Sequence, residues 1–196
     1  MLKNKHSIAI IPARGGSKSI PKKNIVDFMG KPLLAWSIED AKGSAFVDEV
    51  YVSTDDKDIA KVSEMYGAKV IWRPEEISGD FSPSEEALKH ALGEIGKTDQ
   101  EKIDYVVFLQ ATSPLRETKD IDNAIKKIIA EDADSLFSGA EIGDFFIWRR
   151  NGDTLESLNY DYKERKRRQD FGEQFVENGS IYIFKPEILF AHNNRL

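Results

Sequence analysis

The chain contains no cysteine. That absence excludes a disulfide framework, a thiolate nucleophile and any zinc site built on cysteine sulfur. Long apolar runs are missing as well, and none approaches the ~20 residues that a membrane-spanning helix needs. The start, MLKNKHSIAIIPARGG, has a basic lead, but its apolar stretch is too short for a secretory signal. A cytoplasmic protein that does not contact a membrane is the resulting expectation. Histidine is scarce: His6, His90 and His192 are scattered, and none receives a catalytic role. Positive charge is outnumbered, and the net charge of −6 argues against a general nucleic-acid binder. No internal repeat or low-complexity linker is present.

What the chain does have is enough apolar sequence for one sizeable core. Its 196 residues, 40% apolar and 32% charged, are those of a globular protein with a single domain. Continuous apolar runs of strand length recur: Ser7 to Pro12, Asp48 to Thr54, AKVIW, DYVVFLQ and ADSLFSGAEI. Between them lie segments of helical period. KPLLAWSIEDAKGS spaces Leu34, Ile38 and Ala41; DKDIAKVSEMYG spaces Ile59, Val62 and Tyr66 and closes on Gly67. Ser82, Pro83 and Glu85 read as a capping box with proline at the first helical position, ahead of Leu88, Ala91, Leu92 and Ile95. TKDIDNAIKKIIAED aligns Ile121, Ala124, Ile125, Ile128 and Ile129.

This alternation predicts a three-layer α/β nucleotide-binding domain with a mostly parallel sheet. After Gly143 the pattern loosens. DFFIWRRNGDTLES reads as a hairpin turning at Asn151-Gly152, and residues 144–177 read as an arm inserted into the core before NGSIYIF resumes a strand.

In such sheets ligands bind beyond the carboxyl ends of the strands. Two loops lie at such ends: IIPARGGSKSIPKKN and QATSPLR. Gly15 and Gly16 let backbone approach a ligand and turn N–H groups towards its oxygens. Arg14 can grip phosphate bidentately, Lys23 supplies a point charge, and Pro21 stiffens the return. An exposed basic turn is the bland alternative.

IIPARGGSKSIPKKN, VYVSTDD, RPEEIS, LQATSPLR and NGSIYIF together resemble the cytidylyltransferases that activate sugar acids, closest to the N-acylneuraminate type. The resemblance runs from about Ser7 to Ile188, with five motifs in family order. It implies joining of CTP to a nine-carbon α-keto sugar acid, with Mg²⁺, giving the CMP-sugar and pyrophosphate. It also implies a homodimer whose inserted arm reaches towards the neighbouring subunit.

Carried onto this sequence, the resemblance makes Ala13 to Gly16, Lys23 and Asn24 the nucleotide loop, with Arg14 and Lys23 neutralising the triphosphate. Asn24 would bond the nucleotide or hold the loop. Arg73 and Ser84 would contact the nucleotide, with cytosine selected by a small hydroxyl and backbone groups, though Ser84 also suits plain first-turn helix polarity. Gln110 would lie between nucleotide and sugar, making Arg14, Lys23 and Gln110 the catalytic set. Arg168 would meet the sugar acid, with Arg167 as the alternative partner. Asn178 and Tyr182 would complete the sugar side, Tyr182 being equally suited to the core. Two departures stand out. Ser19 replaces the glycine usual after GGSK. The family's acidic metal motif, which follows the NG-[AS]-IY strand, is not found before Leu196, so the metal ligands are unassigned and the chain reads as truncated or lacking its full metal site. Asp55 and Asp56 read as helix caps. Rival acceptors are legionaminic, pseudaminic and octulosonic acids, and a nucleotide-binding protein without turnover is the rival outside enzymes. The general base is not identified.

Overall fold

The computed structural model describes residues 5–17, 20–98, 101–143, 145–167, 170 and 172–196. These divide into two compact units, one formed by Met1–Ser138 with Gly179–Leu196 and the other by Gly139–Asn178.

The first unit is built on a six-stranded sheet. Its strands are β1 (Ser7–Pro12), β4 (Glu49–Thr54), β5 (Lys69–Trp72), β6 (Tyr105–Leu109), β7 (Ser135–Glu141) and β10 (Phe175–Phe184), in the spatial order β5-β4-β1-β6-β10-β7. β1 lies parallel to both β4 and β6, with Ile10 opposite Tyr51 on one side and Phe108 on the other. β4 and β5 are also parallel, whereas β10 runs antiparallel to β6. Helices α1 (Leu33–Gly43), α2 (Lys57–Met65), α3 (Ser84–Thr98) and α4 (Thr118–Ala130) fill the connections, and α5 (Pro186–His192) follows β10. The mostly parallel three-layer sheet expected from the alternation is the one found.

The layering follows from residue parity on β1. Ala9 and Ile11 face one way, into a core with Leu34 and Ile38 of α1, Ile59 of α2 and Ile121, Ile125 and Ile128 of α4. Ile8 and Ile10 face the other way, packing with Leu88, Leu92 and Ile95 of α3 and Leu189 of α5. A strand buried on both faces has no polar side to display, which is why SIAIIP is continuously apolar. β2 (Asp27–Phe28) and β3 (Lys31–Pro32) form a tight hairpin ahead of α1. They are too short for any alternation to show in sequence. α3 begins at Ser84, and a reciprocal capping box is present at α4, between Glu117 and Asp120.

In the second unit β8 (Trp148–Asn151) and β9 (Thr154–Ser157) form the expected hairpin, with Gly152 at φ 59° in its turn. Phe146, Trp148, Tyr160 and Tyr162 pack ring on ring, with the Arg165 guanidinium 5.2 Å over Phe146.

Candidate nucleotide site

Strand order sets the location of the site. β4 and β5 extend from one side of β1, and β6 lies on the other, so the chain reverses its direction of growth between β1 and β6. The loops leaving these two strands must part there, and a crevice opens beyond their carboxyl ends. A cleft of about 500 Å³ occupies that position, walled by Arg14 after β1, Lys23 and Asn24, Arg73 after β5, Ser84 of α3 and Gln110 after β6.

Each wall is fixed locally. Ala13 is buried and donates its N–H to the Ser53 carbonyl (2.9 Å), carrying the sheet ladder one residue past β1. Gly15 donates its N–H to Asp55 Oδ1 (2.9 Å), so that amide serves the loop. A Cβ on Gly15 would lie 2.6 Å from Asp56 Oδ2, which explains the need for glycine there; around Gly16 the space is open. Asp56 caps α2 by accepting from the N–H groups of Asp58 (2.8 Å) and Ile59 (3.0 Å). Adjacent carboxylates thus hold the loop and the helix, where the sequence had suggested two caps. Asn24 is buried and donates from Nδ2 to the Arg14 carbonyl (3.0 Å), folding the loop back on itself. That bond holds the loop, and Asn24 lines the cleft as well.

Arg73 is the buried cation of the cleft. Its Nε donates to Ser53 Oγ (3.1 Å) and its Nη2 to the Ser53 carbonyl (2.6 Å). Burial pushes its pKa down; Asp55 opposes that shift, and the positive charge of Arg14 adds to it. Two guanidinium groups close enough to disfavour each other call for an anion. Part of that need is met inside the chain, because Arg14 Nη2 lies 3.0 Å from Asp80 Oδ1, and Asp80 also lines the cleft.

The loop after β6 is held by Arg116, which sequence reasoning left without a role. Its guanidinium is buried and donates to the Gln110 carbonyl (2.7 Å), the Ser113 carbonyl (3.0 Å), Ser37 Oγ (3.1 Å) and Ser180 Oγ (3.2 Å). Desolvation lowers its pKa to about 10 against the pull of Asp40 and Asp120, so it remains a cation at neutral pH. Gln110 stands just past the strand end, and Gly179, at φ +71°, passes so close that its Cβ would be 3.4 Å from Gln110 Oε1.

The remaining expected residues are Tyr182, Asn178 and Arg168. Tyr182 is buried on β10 with its ring stacked 5.5 Å from Phe108, a core placement. Asn178 closes the second unit. Arg168 and Ser19 lie outside the described residues. Arg167, the alternative to Arg168, is exposed and paired through Nε and Nη2 with Asp170 (2.9 and 3.2 Å). Among the described residues no three histidine or acidic side chains group as a metal centre. Beside the cleft, Asp55 and Asp56 are engaged by backbone N–H groups and Asp80 by Arg14. This donor set does not fit a protein-built Mg²⁺ cage.

A doubly wound α/β sheet with a cationic crevice at its switch point is a fold and site suited to an anionic ligand. A family model described as cytidylyltransferase matches residues 8–190, and the chain belongs to that family. It is 39% identical over 191 residues to N-acylneuraminate cytidylyltransferase A of Danio rerio, covering 95% of this chain and 43% of that one. It is 38% identical over 182 residues to a pseudaminic acid cytidylyltransferase of Campylobacter jejuni, covering 90% and 77%. The chain therefore spans less than half of the first relative. A solved CMP:2-keto-3-deoxy-manno-octonic acid synthetase complexed with CTP shares the fold, with a TM-score of 0.71 at 22% identity over 96% of this chain and 78% of that one.

Proposed function

We propose that the cleft binds CTP and that the protein transfers its cytidylyl group to a nine-carbon keto-sugar acid of the N-acylneuraminate class, releasing pyrophosphate. The observation that carries this reading is the convergence of Arg14 and Lys23, from the loop after β1, with Arg73, from the loop after β5, on one crevice at the β1/β6 switch point. In this reading Arg14 and Lys23 neutralise the triphosphate, while Asn24 keeps the Arg14 backbone in place. The anomeric hydroxyl of the acid attacks the α-phosphorus in line, the bond to the β-phosphate oxygen breaks, and placement with charge neutralisation supplies most of the rate gain. Gln110 stands where nucleotide and acceptor meet. Any Mg²⁺ would arrive with the triphosphate as its counter-ion, and no residue of this chain is assigned to hold it.

The Campylobacter relative is named for pseudaminic acid, and its 38% identity to this chain is close to the 39% of the fish enzyme. A pseudaminic-type acceptor is accordingly the second reading. The second unit exposes Phe145, Ile147, Leu155, Leu158, Phe175 and Val176. That many exposed apolar side chains in so short a segment supports the homodimer implied by the family resemblance. The same reading goes with a cytoplasmic enzyme, and among the described residues no helix is long and apolar enough to cross a membrane.

Pyrophosphate release from CTP and Mg²⁺ is the test, run against N-acetylneuraminic, pseudaminic, legionaminic and octulosonic acids. Release with one acid names the acceptor. CTP binding without release from any of them favours a nucleotide binder without turnover.

A further inference from the structure

Ser84 opens α3 and lines the cleft, as do the uncharged Pro83, Ala87 and Phe108. An apolar and aromatic wall suits a flat base, as the cationic wall suits phosphates. The Ser84 hydroxyl is engaged twice. It donates to Glu85 Oε2 at 3.2 Å and accepts from Arg195 Nη1 at 3.2 Å. Neither direction can be reversed, because a carboxylate only accepts and a guanidinium only donates. A serine hydroxyl has one hydrogen and two lone pairs. The hydrogen and one lone pair are used, so what Ser84 has left to offer a ligand is an acceptor.

Arg195 is itself held firmly. It pairs with Glu85, and its guanidinium lies 4.3 Å over the Tyr182 ring and 5.2 Å over Phe108. Its side chain is only 17% exposed, and its Nε is buried without a hydrogen-bond partner. A buried orphan donor is costly, so the stacking and the ion pair, not Nε, set this placement.

We propose that Arg195 and Glu85 are positioning residues that lock Ser84 as a hydrogen-bond acceptor and thereby select the pyrimidine. Cytosine presents an amino donor where uracil presents a carbonyl acceptor. A carbonyl facing the fixed lone pair would leave two acceptors opposed, whereas the amino group is satisfied. Sites built for one hydrogen-bonding polarity reject the analogue lacking it because a buried group is left unpaired. The proposal rests on the nucleotide reading above, in which the resemblance already gives cytosine to a small hydroxyl, and what it adds is the Arg195–Glu85 pair that fixes the polarity of that hydroxyl.

The test measures CTP and UTP affinities by calorimetry for the wild type, Glu85→Gln and the double variant Arg195→Met/Glu85→Met. The wild type is expected to prefer CTP by about tenfold or more. Glu85→Gln presents an amide of either polarity, so the hydroxyl is free to turn. The ratio should fall to within about threefold of unity, mainly through tighter UTP binding. The double variant removes both charges together, leaves no unpaired ion, and should lose the ratio in the same way. Ser84→Ala deletes the hydroxyl and should lose it regardless of how the other two fold. A purely structural role would weaken both nucleotides equally. An unchanged ratio across the variants, or a wild type that binds CTP and UTP alike, overturns this assignment and leaves the nucleotide site standing. A wild type that binds neither overturns both.

Discussion

Arg14 Nη2 and Asp80 Oδ1 lie 3.0 Å apart at the wall of the cleft, so a cation well placed for phosphate is already paired with a carboxylate. A triphosphate entering here has to compete with Asp80 for the guanidinium. Both side chains are about one-third exposed, which keeps the pair in the weak range of ~0–1 kcal/mol. Asp80→Asn is therefore expected to tighten CTP binding by at most about fivefold. The gain should shrink as salt is raised, since added ions screen the competitor as well. Calorimetry at two ionic strengths measures both effects. A loss of affinity of about tenfold or more would mean that Asp80 works for the ligand and not against it.

Loss of Arg14 itself should be more damaging. Arg14→Ala is expected to lower turnover by roughly a hundredfold to a thousandfold, the usual effect of removing one preorganised donor from developing charge. Lys23→Ala should act in the same direction by less, a point charge being less directional than a bidentate fork. Steady-state pyrophosphate release is the readout. Unchanged kinetics in Arg14→Ala would remove it from the reaction.

Much of this was legible in the sequence, for physical reasons that differ by residue. Strands buried on both faces have to be continuously apolar, so β1 and β6 announced themselves, and their loops located the cleft. Asp80 and Arg116 gave no comparable signal. One lies in a loop without period, and the other spends its donors mainly on backbone carbonyls and hydroxyls, which any sequence provides. Arg195 meets Ser84 across 111 positions of chain, a contact that only the assembled α3, β6 and β10 can create. β10 begins three residues earlier than NGSIYIF suggested, because its first half is exposed and shows no alternation. Tyr182 stood between site and core on sequence grounds; pairing of β10 with β6 put its ring on Phe108.

Asp104 offers a pH test of how β1 is anchored. It accepts from Lys5 Nζ (2.9 Å) and from the His6 N–H (3.0 Å) just ahead of the strand. Burial acts to raise its pKa, but these two hydrogen bonds and the Lys5 charge together hold it below the ordinary carboxylate value. With the folded pKa depressed, the unfolded chain binds more protons, and stability rises with pH through that window. The contribution is complete above the unfolded value of about 3.9 and is lost as pH falls through the folded value. Asp104→Asn should thus lower the melting temperature at pH 7 by ~2–4 °C or less, as expected for a partly exposed pair. Near pH 2 the variant and wild type should melt together. Equal deficits at both pH values would trace the effect to packing instead of charge.

The two glycines of the opening loop look alike in sequence and should behave differently. A Cβ on Gly15 would fall 2.6 Å from Asp56 Oδ2 and 2.8 Å from Asp56 Cβ, and the second atom sits too near the backbone to step aside. Either the loop moves, taking Arg14 with it, or Asp56 gives up its cap on α2. Gly15→Ala is expected to cost about 1–3 kcal/mol of stability, combining a lost cap with overpacking. It should also weaken CTP binding by roughly tenfold or more, because a misplaced guanidinium loses most of a charge-assisted bond. Gly16 has no heavy atom within 4 Å of where its Cβ would stand, and its φ is not in the left-handed range. Gly16→Ala should leave stability within about 0.5 kcal/mol of wild type. Thermal melts with CTP titrations on the pair decide the matter. A stability penalty in Gly16→Ala equal to that of Gly15→Ala would overturn the distinction, whereas lost CTP affinity at unchanged stability would show that the second glycine is needed where a ligand approaches the backbone.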